Sequence, residues 1–268
     1  MAVRSLLIRS PTKPVPPPEE IAIDHAGAAL PVTFLRSARA RRVSLRIDSA
    51  RRRAVLTAPL RMPFAVAVRF AETQAGWIAA RLKRLPPRRP FIDGAEVPFF
   101  GVPHHIRHQP EARGTVWLEG AEIHVAGRAE HLSRRLRDWL TAEVRRRATP
   151  LAHTKAERIE RTVKRISVRD SRTRWGSCGP DGGLSFSWRL VFAPAEVLDY
   201  LVAHEVAHLV HKNHGPRFWA LTERLCDGPM APPRAWLRAN GEALLQYGHD
   251  VTGPRAPALS LSKGLARS

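Results

Sequence analysis

The sequence predicts an α+β chain: a β-rich N-terminal domain followed by a helical domain that carries a small antiparallel sheet. Three observations predict it. Val43, Leu45 and Ile47 alternate with Ser44, Arg46 and Asp48, the period-two signature of a strand with one face on a core. Leu132, Leu136, Trp139, Leu140 and Val144 recur at helical spacing. Short apolar runs around the turn Gly179–Gly183, GPDGG, then precede another helical pattern at Asp199–Val210.

In chain order, residues 1–28 contain KPVPPPEE and read as a flexible, partly polyproline lead-in. Residues 29–128 make the β-rich domain. In it the strand at Val43 pairs with Ala54–Thr57 across the basic turn Ser49–Arg53. Phe64–Leu85 reads as one helix with Trp77 in the core, ended by Pro86 and Pro87. Short strands follow around Asp93 and at Val97–His108, and Trp117, Ile123 and Val125 flank a Glu119–Gly120 turn. Residues 129–248 make the second domain: a helix from His131 to Pro150, a second at Leu151–Arg161, and strands at Ile166–Arg169, Arg172–Cys178 and Leu184–Phe192. Pro194 suits the start of the next helix. Phe218–Leu225 and Pro233–Ala239 are further helices, the last stopped by Asn240 and Gly241. Residues 249–268 read as a disordered tail.

Composition bounds the function. The chain carries 38 Arg and 6 Lys against 24 acidic residues, a net charge of +20. Such a surface attracts anions such as nucleic acid or nucleotides, and equally describes a solvated Arg-rich face. The two cysteines, Cys178 and Cys226, argue against a disulfide framework and a cysteine zinc cluster. The opening MAVRSLLIRS has too short an apolar run for a signal peptide, and no segment reads as a membrane span, so a soluble cytoplasmic protein is expected.

The chemistry concentrates in LVAHEVAHLVHKNHGPRFW, residues 201–219, where His204, Glu205, His208, His211 and His214 fall in eleven positions. On a helix, His204 and His208 lie one turn apart on one face and can direct both imidazoles at one metal ion. Glu205 beside them can take a proton from water activated by that metal. Continuing the helix to His211 puts it about 10.5 Å along the axis from His204, too far for three imidazoles to converge. A third ligand must come from after a bend. Asn213 and Gly215 suit a left-handed helix end and Pro216 blocks simple continuation, so His214 is the first choice and Glu223 the rival. His104, His105 and His108 lack an accompanying carboxylate or cysteine and are not read as a second site.

Two blocks together, SRTRWGSCGPDGGLSFSWRLVFAPAEVLDYL at residues 171–201 and AHEVAHLVHKNHGPRFW at 203–219, resemble the YgjP-like metallopeptidase family, which is similar to SprT-type zinc proteases. The resemblance is close from about Arg161 to Gly241. It implies a zincin-like domain in which His204, His208 and His214 hold Zn2+ and Glu205 is the base of a metallopeptidase. Ser187 stands before Trp188 and Arg189 where related sequences usually carry Asn. Two alternatives remain at this point. The same centre could release pyrophosphate from a nucleoside triphosphate, or the chain could be a basic nucleic-acid-binding protein with a structural metal. The exposed strand that would hold an extended peptide is sought in Arg172–Cys178.

Overall fold

The structure, a computed structural model, describes residues 16–249. The expectations for residues 1–15 and for the tail from residue 250 lie outside them. Contacts divide the chain between Leu85 and Pro86 into two compact units.

The first unit holds β1 (Glu19–His25), β2 (Ala28–Ser37), β3 (Ser44–Asp48) and β4 (Arg53–Pro59), then α1 (Phe64–Thr73) and α2 (Ala75–Lys83). The sheet order is β1-β2-β4-β3, with β2 parallel to β4 and the outer pairs antiparallel. The hairpin around Ser49–Arg53 is present as expected. Strand β1 corrects the lead-in reading: Ile21 and Ile23 alternate with Ala22 and Asp24, and Ala26 and Gly27, at φ 49° and 77°, supply a tight turn into β2. A second correction concerns the single helix expected over Phe64–Leu85. It breaks at Gln74, where the Thr73 hydroxyl donates back to the Phe70 carbonyl at 2.7 Å. The break turns Ala75 and Ile78 toward Val32, Phe34 and Leu56, and leaves Trp77 45% exposed rather than in the core.

The second unit begins with β5 (Glu96–Phe99), β6 (Val102–Gln109), β7 (Val116–Glu119) and β8 (Glu122–Ala126). Their order, β5-β6-β8-β7, and their directions repeat those of the first sheet. The sequence groups these strands with the first sheet, but by contact they belong with the half that carries the histidine-rich segment. Helix α3 (Leu132–Glu157) follows unbroken through Pro150, where two helices were expected. Proline removes one helical N–H, a loss tolerated here because Pro150 faces solvent while Ala148 and Ala152 on the inner stripe are fully buried. That stripe, from Leu132 to Ala156, forms the spine of the core.

Strands β9 (Arg165–Arg169), β10 (Gly176–Cys178) and β11 (Gly183–Ser187) make a three-stranded sheet in the order β10-β11-β9. The sheet is mixed, β11 running antiparallel to β10 and parallel to β9, where an antiparallel one was expected. Two strands are shorter than predicted. Arg172–Trp175 is irregular, and Trp188–Phe192 coils into a buried 3-10 turn against α3, because all five of its side chains face protein and a strand would turn alternate ones outward. Helices α4 (Ala195–Ala207), α5 (Pro216–Leu225) and α6 (Ala231–Leu244) complete the unit. Gly241 lies inside α6 rather than ending it. A Cβ there would stand 3.1 Å from the Trp175 ring, so packing explains this glycine.

Candidate metal centre

Helix α4 is apolar on nearly every side, with Val197, Leu198, Leu201, Val202, Ala203 and Val206 buried. It packs against α3, α5 and α6, so its position in the fold is fixed from several directions. Its first residues, Ala195 and Glu196, and its C-terminal end reach the surface, and the C-terminal end carries His204 and, at the cap, His208. The helix ends at Ala207; the backbone N–H of His211 still reaches the Ala207 carbonyl at 3.0 Å, and the chain then turns through Asn213 and Gly215 into α5. The turn differs from expectation in one respect. Neither Asn213 nor Gly215 takes a left-handed conformation; Gly215, at φ -80° and ψ 179°, caps α5 in extended form, with Pro216 at the first helical turn.

This bend brings His214 back onto the α4 histidines. One ring nitrogen from each of His204, His208 and His214 lies within 4.8 Å of the others, and the Nε2 atoms of His204 and His214 are 3.1 Å apart. Nitrogens bound tetrahedrally to one ion at about 2.0–2.1 Å stand about 3.3 Å from each other. The His204–His214 pair already has that spacing, and the third nitrogen is close enough to join it around one ion. Among the described residues no other histidine, cysteine and carboxylate grouping of this kind occurs. His104 and His108 instead bond the backbone carbonyls of Val102 and Gly127.

The alternatives for the third ligand separate in space. His211 contributes its backbone carbonyl, which accepts from His208 Nδ1 at 2.9 Å and so orients that ring. Glu223 Oε1 accepts the backbone N–H of Met230 at 3.2 Å and is not part of the cluster. Lys212 Nζ donates to the His208 carbonyl at 2.7 Å, covering an open helix end.

Phe218, which marks a helix in the sequence, and Trp219 beside it both border the site. Phe218, fully buried, has its ring 4.9, 4.5 and 4.6 Å from the rings of His204, His208 and His214, one apolar platform beneath all three. Trp219 lies 5.8 and 5.6 Å from His204 and His214, and the Arg234 guanidinium sits over its ring, 4.2 Å from the centroid. The signal for both was the run HGPRFW, which sets the two rings on the first turn of α5, four and five residues after His214. Tyr200, one turn before His204, is buried with its ring 6.0 Å from that imidazole, in keeping with a packing role.

Burial sets the proton affinities. It pushes His204 down to about 4, with the charges of His208, His214 and Arg234 acting in the same direction. His208 is lowered also, first by burial and then by His214 and Lys212, against the opposing bond to the His211 carbonyl. Both rings are thus neutral near pH 7, the form that binds metals. Glu205 is 4% exposed and its Oε2 is buried without a hydrogen bond. Burial raises its carboxyl to about 7, and Arg174 opposes the rise. Arg189, by contrast, is buried, placed over the Trp188 ring and paired with Asp170, and so braces the 3-10 turn.

No curated protein and no solved structure matches the chain. The family model described as YgjP-like, metallopeptidase domain, matches residues 41–240, which include both four-stranded sheets except β1 and β2, and the whole histidine cluster. The chain belongs to the YgjP-like family of metallopeptidase domains.

Proposed function

We propose that the chain is a zinc-dependent hydrolase, a metallopeptidase in which His204, His208 and His214 hold the ion and Glu205 is the general base. The observation that carries this reading is the convergence of the three ring nitrogens, with one buried carboxylate on the intervening helical turn. Zinc held by three neutral imidazoles retains its full charge, which acidifies a water and stabilises negative charge on the attacked carbonyl. Glu205 takes the water's proton and returns it to the departing amine. A carboxyl group at about 7 suits both steps near neutral pH. The Phe218 platform keeps the imidazoles in register and excludes water from their inner side.

The substrate is an extended peptide or unstructured protein segment. Strand β10 is the outer strand of its sheet, and its Gly176 backbone lies against Glu205, so a peptide added along that edge would pass the base. A cytoplasmic location fits the two unpaired cysteines, and among the described residues no helix is long and apolar enough to cross a membrane.

One observation favours a second reading. Arg174, Lys212 and Arg234 act electrostatically on the site groups, a positive surround that suits a nucleoside triphosphate, with pyrophosphate as the product. A side-by-side assay separates the two. Cleavage of an unfolded protein, lost on Glu205→Gln, supports the peptidase; pyrophosphate release from nucleotides, lost in the same variant, replaces it. Retention of every activity by Glu205→Gln, with unfolding on chelation, would leave a nucleic-acid-binding protein with a structural metal.

A further inference from the structure

We infer that Gly176 is a positioning residue for the Glu205 carboxylate, the absence of a side chain on β10 fixing where that carboxylate stands. This rests on the reading of Glu205 as the base. The backbone at Gly176 is not in the left-handed region, so conformation alone does not call for glycine there. Space does. A Cβ at this position would lie 2.7 Å from Glu205 Cγ and 2.8 Å from Cδ, and closer still to Oε1. Real Cβ atoms essentially never make contacts under 3.0 Å, so one partner would have to move.

The strand is poorly placed to be that partner. Gly176 pairs with Phe186 of β11, which is buried. The preceding carbonyl, of Trp175, accepts the Ser187 N–H at 2.8 Å, and the Trp175 ring packs onto α6 at Gly241. Behind Glu205, α4 is held by three helices. The element with freedom left is the Glu205 side chain, which can turn about its own bonds. A methyl group at residue 176 should therefore leave the fold and the histidines in place and displace the carboxylate. Displacements of about 1 Å at a reacting group cost up to about a hundredfold in rate.

The test uses the full-length, zinc-loaded protein, with cleavage of reduced and alkylated casein, an unfolded protein, as the readout. Gly176→Ala should retain wild-type metal stoichiometry and cooperative unfolding, and lose about 10- to 100-fold in kcat with KM changed less than threefold. Ser177→Ala, the next residue in the same strand, should keep kcat within threefold, and a crystal structure of Gly176→Ala should show the Glu205 carboxylate rotated away from β10 over an unchanged histidine cluster. Wild-type kcat in Gly176→Ala, loss of its metal, or an equal loss in Ser177→Ala would overturn the inference while Glu205→Gln remains inactive. Full activity in Glu205→Gln would instead overturn the general-base reading, and this inference with it.

Discussion

Replacing the Glu205 carboxylate by an amide should favour the metal-free folded protein increasingly as pH rises. Glu205 has its carboxyl raised by burial to about 7, against an ordinary value of 4.5. A group raised in the folded state contributes stability that is complete below the unfolded value and is lost as pH climbs through the folded one. At pH 8 the folded protein must hold a buried carboxylate, with no hydrogen bond to Oε2, that the unfolded chain solvates freely. Between pH 5 and pH 8 this amounts to roughly 2 to 3 kcal/mol of lost stability, from about 1.4 kcal/mol for each tenfold difference in proton affinity. Glu205→Gln has no charge to bury. Its amide has its own fixed desolvation cost, but that cost does not vary with pH and cancels between the two measurements. Urea unfolding of chelated wild type and variant, at pH 5 and pH 8, gives the comparison. The difference should shift toward the variant by roughly 2 to 3 kcal/mol at the higher pH. A difference that stays constant over this range would refute the buried-carboxylate argument, since the burial and the pH dependence have the same cause.

Two other substitutions test how the centre is held. Phe218→Leu keeps most of the buried volume, so global stability should fall by less than about 1.5 kcal/mol, but the flat surface shared by three imidazoles is lost. Metal affinity measured by competition with a chelator should drop about tenfold, in the range seen for groups that orient ligands; an unchanged affinity in a folded variant would remove the platform role. Lys155 on α3 is fully buried and holds α4 and the segment after α5 together, bonding Asp199 at 2.6 Å, Asp227 at 3.0 Å and the Leu225 carbonyl at 2.7 Å. Lys155→Met strands these acceptors and should cost about 3 kcal/mol or more in urea unfolding, with Asp227, half exposed, limiting the loss. A change under about 1 kcal/mol would show that the buried pair contributes little beyond what apolar packing supplies.

What was legible in the sequence was what depends on local pattern. The spacing of His204 and His208 fixed two imidazoles on one helical face, and Pro216 placed the bend that returns His214. The long stripe of α3 was equally visible, although Pro150 divided it on paper; a proline on the outer face interrupts the pattern without interrupting the helix. What escaped was set by contacts between distant segments. Ile21 and Ile23 make a strand only because β2 lies beside them, and two apolar residues are too few to announce it. The Gln74 break shifts the phase of the second helix, so Ala75 and Ile78 are buried and Trp77, which the unbroken pattern places in the core, is exposed. Gly241 reads as a stop signal until the Trp175 ring is found against it. The same holds at the candidate metal centre: the three histidines follow from spacing and a bend, whereas Phe218 beneath them and Gly176 beside Glu205 become visible only when α4, α5 and β10 are brought together. The repeated strand order of the two four-stranded sheets is hidden for a related reason, since hydrogen-bonded topology does not require similar side chains.

The most direct test of the three-histidine centre is a crystal structure of the zinc-loaded protein with anomalous data at the metal edge, paired with metal analysis of His214→Ala. One ion should appear bonded to ring nitrogens of His204, His208 and His214 at about 2.0–2.1 Å, and His214→Ala should lose most of its metal while remaining folded. An ion bonded to Glu223 with His214 turned away, or full metal content in His214→Ala, would contradict it.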